Sequence, residues 1–390
     1  MKDVKYFYGA LFLLACVTFG FAQSFQVGHT TLTFTDPNRG NRLIATEIYY
    51  PADVAGDNVA LTATTGSFPV LSFGHGFVMT WDAYQNFWSA LVPNGYIMAF
   101  PKTEGSFSPS HLDFGKDLAF VIAQMNLLNV DNTSIFFNRI SDMNSVMGHS
   151  MGGGASFLAA QLNSAIKTIV NFAPAETNPS AISAAASLTI PALVFSGVND
   201  CVTPPNVHQI PMYNSLGSTC KTLINIIGGS HCQMANSNFF CNVGDGSCTP
   251  QPTITRAFQH NIINTYLLPW LNYQLKGNCS QGSLFDSQIL TDMAITYQKN
   301  CIQCVNLETN TAVLENTIKV YPNPMNDFVS ISGIAGNTYH IAIYDSNAKL
   351  VVEQTFTGAT TIGTDNLAQG VYFYTVSTAG KVWLEGKIIK

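Results

Sequence analysis

Short apolar runs alternate with longer stretches of helical spacing through most of the chain. Residues 42–50 (Arg-Leu-Ile-Ala-Thr-Glu-Ile-Tyr-Tyr) read as a strand ending at Pro51, followed by a loop over 51–67. Residues 68–73 (Phe-Pro-Val-Leu-Ser-Phe) form a short buried strand closed by Gly74-His75-Gly76. The spacing over 81–91 predicts a helix with Tyr84, Trp88 and Leu91 on one face. A strand at 97–100 stops at Pro101, and a helix over 113–128 offers Leu118, Val121, Ile122 and Met125 to a core. Beyond a glycine-rich stretch come a helix at about 154–161, strands at 168–172, 192–196 and 222–227, and a helix over about 255–275. Apolar strands alternating with amphipathic helices predict an α/β fold, a doubly wound and mostly parallel sheet covered on both faces. Ligands of such sheets sit outside the carboxyl ends of the strands.

The pattern changes after residue 316. β-branched and aromatic residues alternate with polar ones at 329–331, 340–344, 350–352, 371–376 and 382–384, separated by turn signals such as Asn323-Pro324, Asp345-Ser346-Asn347 and Gln369-Gly370. This predicts a small all-β sandwich. The expected organisation is a signal segment at 1–22, a catalytic α/β domain at 23–305, a linker at 306–316 and the sandwich at 317–390.

Composition narrows the classes. Apolar residues make up 47% of the chain and charged ones 10%, so large cores can form. The net charge is −6 and Lys and Arg do not cluster, which leaves no electrostatic footprint for nucleic acid. Lys2 and Lys5, an apolar run over 6–21 and the small residues of Gly20-Phe21-Ala22 predict a cleaved secretory signal. That run is short for a membrane span, so no transmembrane segment is expected in the mature chain. Leu13-Leu14-Ala15-Cys16 is a poorer match to a lipoprotein box, because Leu14 is bulky there. Cleavage would leave eight cysteines, an even number that in an exported chain predicts disulfides. Cys301-x-x-Cys304 has no second such pair and no nearby histidine pair, which favours bridging over zinc.

The chemistry centres on Gly148-His149-Ser150-Met151-Gly152-Gly153-Gly154. A G-x-S-x-G run between a strand and a helix fits a nucleophile elbow, where side chains at Gly148 or Gly152 would collide with neighbouring backbone. Ser150 needs a base, and the base an orienting acid. In this fold the acid follows the serine and the histidine comes last. Asp200, just past the strand at 192–196, fits the acid, with Glu176 as its rival; His231, in Gly228-Gly229-Ser230-His231, fits the base. His75 and His149 precede the serine, and the His149 side chain should point away from its hydroxyl. His111, His208 and His260 read as surface or packing residues. The oxyanion donors are expected to be the backbone N–H groups of Met151 and of Phe77, in the loop after the strand at 68–73.

These residues resemble the cutinase-like polyester hydrolases, including polyethylene-terephthalate hydrolases, within the dienelactone-hydrolase and lipase group. The likeness covers about residues 40–304. It rests on Met147 to Gly154, Ile190-Pro191-Ala192-Leu193-Val194, Asp200 with Val202 and Pro204, Tyr213-Asn214-Ser215-Leu216 and Gly228 to His231. The resemblance implies Ser150 as nucleophile, His231 as base, Asp200 as acid and donors at Phe77 and Met151. It also implies a terminal disulfide joining Cys279 to a late cysteine such as Cys301. Substrate contacts are expected from Phe77, His149 and Ala175. Ala175 stands where the family carries a tryptophan wall, so a flat aromatic ester would find less stacking area. Because Cys201 and Cys232 directly follow Asp200 and His231, a Cys201–Cys232 disulfide is expected.

The C-terminal region resembles the sorting domain of type IX secretion cargo, through Val320-Tyr321-Pro322-Asn323-Pro324, Leu367-Ala368-Gln369-Gly370-Val371-Tyr372 and the basic end Gly386-Lys387-Ile388-Ile389-Lys390. It implies the type IX machinery as partner and a secreted or surface location reached across the outer membrane. The expectation is an exported monomeric serine esterase without a cofactor, acting on esters and extending to polyesters. The alternatives are a small-ester esterase or lipase without polymer activity and a non-catalytic surface-binding protein.

Overall fold

The computed structural model describes residues 24–301, 318–333, 336–378 and 381–390. The chain divides into two compact units, one up to Gln303 and one from Cys304. The expected signal segment, the linker and Cys304 lie outside the described residues.

The first unit is built on ten strands. They are β1 (Gln26–Asp36), β2 (Arg42–Ala52), β3 (Gly56–Asp57), β4 (Val70–Gly74), β5 (Ile97–Pro101), β6 (Asn144–His149), β7 (Ile166–Phe172), β8 (Ala192–Gly197), β9 (Lys221–Ile226) and β10 (Ile295–Asn300). They form one sheet in the order β10-β9-β8-β7-β6-β4-β5-β2-β1-β3. Strands β4 to β9 run parallel; β10 and β2 join them antiparallel, and β1 pairs antiparallel with β2. The expected α/β fold class is therefore the observed one.

Successive residues of the central strands feed two cores, as the period of two requires. Val146 and Val194 pack into the layer of α2 (His111–Leu128), α3 (Met151–Leu162), α4 (Ala181–Ala185) and α5 (Gln209–Ser215). Met147, Leu193 and Phe195 pack into the layer of α1 (Gln85–Leu91), α7 (Arg256–Lys276) and α8 (Cys279–Thr291). The second core is rich in rings: Phe87 to Phe172 is 4.4 Å between centroids and Phe172 to Phe195 is 5.4 Å.

Three departures from the sequence pattern have local causes. β2 continues through Pro51 because that residue pairs only with Val27 of β1, and its carbonyl accepts the Thr62 N–H at 2.9 Å. No ladder hydrogen bond is lost by proline there. Helix α3 starts at Met151 rather than near 154, so Gly152 to Gly154 are helical despite their poor propensity. β1 and β10 lie at or near the sheet edges and carry many polar residues, which hides their periodicity. Among the described residues no helix is long and apolar enough to cross a membrane.

The second unit is all antiparallel β. A three-stranded sheet holds β11 (Lys319–Tyr321), β12 (Phe328–Ser332) and β15 (Ala359–Gly363), in the order β11-β12-β15. A four-stranded sheet runs β14 (Leu350–Thr357), β13 (Thr338–Tyr344), β16 (Val371–Thr378), β17 (Lys381–Ile389). Val329, Ile331, Ile341, Ile343 and Val376 fill its core. β11 and β15 are additions to the strands that the sequence pattern predicts.

Candidate active site

Ser150, Asp200 and His231 all follow the carboxyl ends of parallel strands: β6, β8 and β9. Ser150 sits at φ 55° and ψ −121°, a conformation that side-chain-bearing residues avoid, between β6 and α3. It is held by Ser150 N–H to Phe172 O at 3.1 Å and by Ala175 N–H to Ser150 O at 2.9 Å. A Cβ on Gly148 would run into the Gly152 backbone, and one on Gly152 into Gly74. The glycines thus let β4, β6 and α3 approach closely enough to make the turn.

The loop after β8 brings Asp200 against His231. Asp200 Oδ2 lies 2.8 Å from His231 Nδ1, and both residues are buried. Thr203 completes the carboxylate shell: its N–H donates to Asp200 Oδ1 at 2.7 Å and its hydroxyl lies 2.8 Å from Oδ2. Gln209 Nε2 in turn donates to Thr203 Oγ1 at 3.1 Å and to Pro174 O at 2.7 Å. The rival acid, Glu176, is engaged elsewhere; its carboxylate accepts the Ile182 N–H at the start of α4. His208 and His111 accept the N–H groups of Glu176 and Asn178 through Nδ1.

The two loops are also tied to each other. Asn199 N–H donates to Gly229 O at 2.9 Å and Val198 N–H to Ile226 O at 3.0 Å. Gln259 of α7 grips Ser230 at both ends, accepting its N–H at 3.0 Å and donating to its carbonyl at 2.9 Å. Asp245, on α6 (Phe239–Gly246), accepts the Ser230 hydroxyl at 2.6 Å and the Cys232 N–H at 3.0 Å. Arg256 donates to the carbonyls of Cys232 and Ala235. None of these supports follows from the local sequence pattern. Its available signal was polar Gln209 and Gln259 at positions that the helical period assigns to the core.

Two expectations need correction. Cys201 and Cys232 do not pair with each other: Cys201 pairs with Cys248 and Cys232 with Cys241. Side chains of consecutive residues leave the backbone in different directions, so convergence of Asp200 with His231 does not bring their successors together. Both cysteines instead reach the same segment, around α6. The expected bond from Cys279 to Cys301 is not formed either: Cys301 pairs with Cys220, and Cys279 is disulfide-bonded to another cysteine.

His149 is the second correction. It does not face a substrate, because its side chain is wholly buried behind the site. Gly76 N–H donates to the Tyr84 hydroxyl at 2.7 Å, which lies 3.0 Å from His149 Nδ1; His149 Nε2 lies 3.2 Å from the His231 carbonyl. One tautomer satisfies this chain: Nε2–H donates to the carbonyl and Nδ1 accepts from tyrosine. Burial, then the neighbouring His231, holds His149 well below the ordinary histidine range. The neutral ring is a strut between the Gly76–Phe77 loop and the base loop.

Phe77 is 48% exposed beside this loop, and Ala175 is half-buried after β7. The N–H groups of Phe77 and Met151 have no protein acceptor among the described residues. Two open clefts of about 590 and 600 Å³ share no residue with this arrangement. No cluster of metal-ligating side chains occurs among the described residues.

Known families match the chain along its sequence. The family model for the secretion system C-terminal sorting domain matches residues 319–390. This is a type IX sorting domain and implies export across the outer membrane. The chain is 32% identical over 111 residues to cutinase est2 of Thermobifida alba, covering 28% of this chain and 36% of that protein. It is 33% identical over 87 residues to cutinase 1 of Thermobifida cellulosilytica, covering 22% and 32%, and to a cutinase of Thermobifida fusca (strain YX), covering 22% and 28%. The chain spans about a third of the length of the curated relatives it matches. The PET hydrolase-like family model matches residues 26–244, more than half of the chain and all three of Ser150, Asp200 and His231, so the chain belongs to the PET hydrolase-like family.

Proposed function

We propose that the first unit is a carboxylic ester hydrolase working through an acyl-enzyme on Ser150. The observation that carries the reading is the 2.8 Å contact of buried Asp200 with His231 Nδ1, after β8 and β9, at the same carboxyl-terminal edge of the sheet as the strained Ser150 after β6. His231 Nε2 takes the Ser150 proton as Oγ attacks the ester carbonyl carbon. The oxyanion accepts the N–H groups of Met151 and Phe77. The carbon–alkoxy bond then breaks, and the alkoxide leaves with the proton from Nε2. Water enters, gives a proton to Nε2 and attacks the acyl carbon. Ser150 Oγ departs and recovers that proton, leaving acid and alcohol. Asp200 keeps Nδ1–H pointed away from Ser150, so that Nε2 is the free base.

Cutinase relatives and family membership support esters as substrates, and we extend the reading to polyesters. The sorting domain supports delivery by type IX machinery, with the domain limits at 23–305 and 317–390. Hydrolysis of nitrophenyl butyrate by the full chain and by Ser150→Ala tests the core of the proposal. The expected loss in kcat is on the order of 10⁵–10⁶; equal rates would overturn it. Ala175, small where a stacking wall was expected, favours the competing reading of a short-ester esterase. Soluble products released from polyester film separate the two.

A further inference from the structure

Four phenylalanines lie in a continuous exposed series that starts at the candidate site. Phe77 and Phe107 meet edge to face at 6.3 Å, Phe107 and Phe240 at 6.3 Å, and Phe240 and Phe239 at 5.5 Å. Their exposures are 48%, 76%, 52% and 74%, respectively. Exposed rings in contact form an apolar patch of the kind that marks an interaction surface, unlike scattered single residues. They come from three separate loops and helices, so no local sequence pattern groups them.

We propose that this series is the adsorption surface for a solid polyester, guiding an uncharged apolar chain toward Ser150. Its first ring belongs to the residue whose N–H is proposed to hold the oxyanion, so the surface is continuous with the site of reaction. A short acyl ester at Ser150 has no atoms to place on Phe107, Phe240 or Phe239; a ligand continuing for several ring widths does. The segments that carry the outer rings, Ser106-Phe107-Ser108-Pro109-Ser110 and Asn236-Ser237-Asn238-Phe239-Phe240, contain no charged residue. That suits an uncharged occupant and not an ionic one.

The surface is also fixed in place. Phe240 adjoins Cys241, which is bonded to Cys232 beside His231. The Phe107 loop is closed by the Ser110 N–H on Glu104 at 2.5 Å. Rings already held lose little freedom on binding. They lie on the side of Phe77, whereas Ala175 leaves the other expected wall without an aromatic ring.

The proposal rests on the ester-hydrolase reading for the fate of the bound chain, but the binding itself can be measured without turnover. Adsorption isotherms on polyester film would compare full-length Ser150→Ala with the same chain carrying Phe107→Ser and Phe240→Ser as well. The expected result is at least about tenfold weaker adsorption, equivalent to about 1.4 kcal/mol. Adsorption within twofold would overturn the proposal. So would a loss confined to phosphatidylcholine vesicles, or a change from dimer to monomer with film adsorption intact. In the active chain the same two changes should lower product release from film at least tenfold more than hydrolysis of nitrophenyl butyrate. Equal losses would mean general damage and would defeat it. Esterase activity surviving Ser150→Ala would sink the catalytic reading and leave the adsorption result standing.

Discussion

The nucleophile side of the site and the acid–base side are held by different physics. Around Ser150 the support is steric: β4, β6 and α3 meet through glycines, and the strained turn is enclosed by the main cores. Around Asp200 and His231 the support is polar and covalent. Thr203, Gln209, Gln259, Asp245 and two disulfides hold the loops after β8 and β9, beside the packing of Met234 and Ala235 into the second core. A close-packed turn cannot be adjusted without disturbing the sheet, whereas cross-linked loops can loosen while the sheet persists. Damage to the first should therefore appear as loss of fold, and damage to the second as loss of rate.

The largest contrast is expected from single methyl groups. At Gly152→Ala the new Cβ would overlap the Gly74 backbone, which cannot move without shifting β4. Destabilisation of about 4 kcal/mol or more is expected, with little soluble protein and a clear fall in urea midpoint. Gly246→Ala, at the end of α6, adds its methyl to open space. It should leave both stability and activity within about 0.5 kcal/mol of the parent. Equal effects at the two positions would erase the distinction between the sides.

Next in size are the cross-links. Cys201–Cys248 closes a separation of 47 residues and Cys232–Cys241 one of 9. Loop entropy assigns them about 4 and about 2.5 kcal/mol. Replacing Cys232 and Cys241 by serine should leave the sheet folded by circular dichroism at 25 °C. The kcat on nitrophenyl butyrate should fall about 10- to 100-fold, because a displacement near 1 Å at the base is felt at that scale. Unchanged kcat would show that Asp245 and Gln259 suffice to hold the base loop.

The same division explains what could be read from the sequence. The elbow, β4 to β9 and the positions of Asp200 and His231 were legible because strand periodicity and glycine spacing are local. The elbow in particular is spelled by one continuous stretch. The acid–base supports were not, since Thr203, Asp245 and Gln259 come from three separate segments with no shared period. The disulfides failed for a related reason. Eight cysteines in the mature chain allow 105 pairings, and adjacency to converging residues does not select among them. His149 lies within the elbow motif yet acts in the other system, through Tyr84 and the His231 carbonyl. Neighbourhood in sequence put it at the substrate face, and burial removes it from there.

That dual membership gives the smallest and most selective test. Neutral His149 bridges the two sides, and burial keeps its pKa well below that of an exposed histidine. As pH falls through the unfolded value near 6.5, the unfolded chain binds a proton that the folded chain refuses. Stability should then drop with falling pH, by about 1.4 kcal/mol per pH unit for this group, until the depressed folded pKa is reached. Above pH 7 both states hold the ring neutral and the effect vanishes. His149→Gln would remove the titrating group while keeping a donor and an acceptor. Urea unfolding of parent and variant between pH 7.5 and 5.5 should show a shallower decline in the variant by about one proton. Parallel declines would mean that His149 titrates in the folded protein as it does in the unfolded chain. The strut joining the Phe77 loop to the base loop would then tolerate charge, and the two sides would be less tightly coupled than the Tyr84–His149–His231 chain implies.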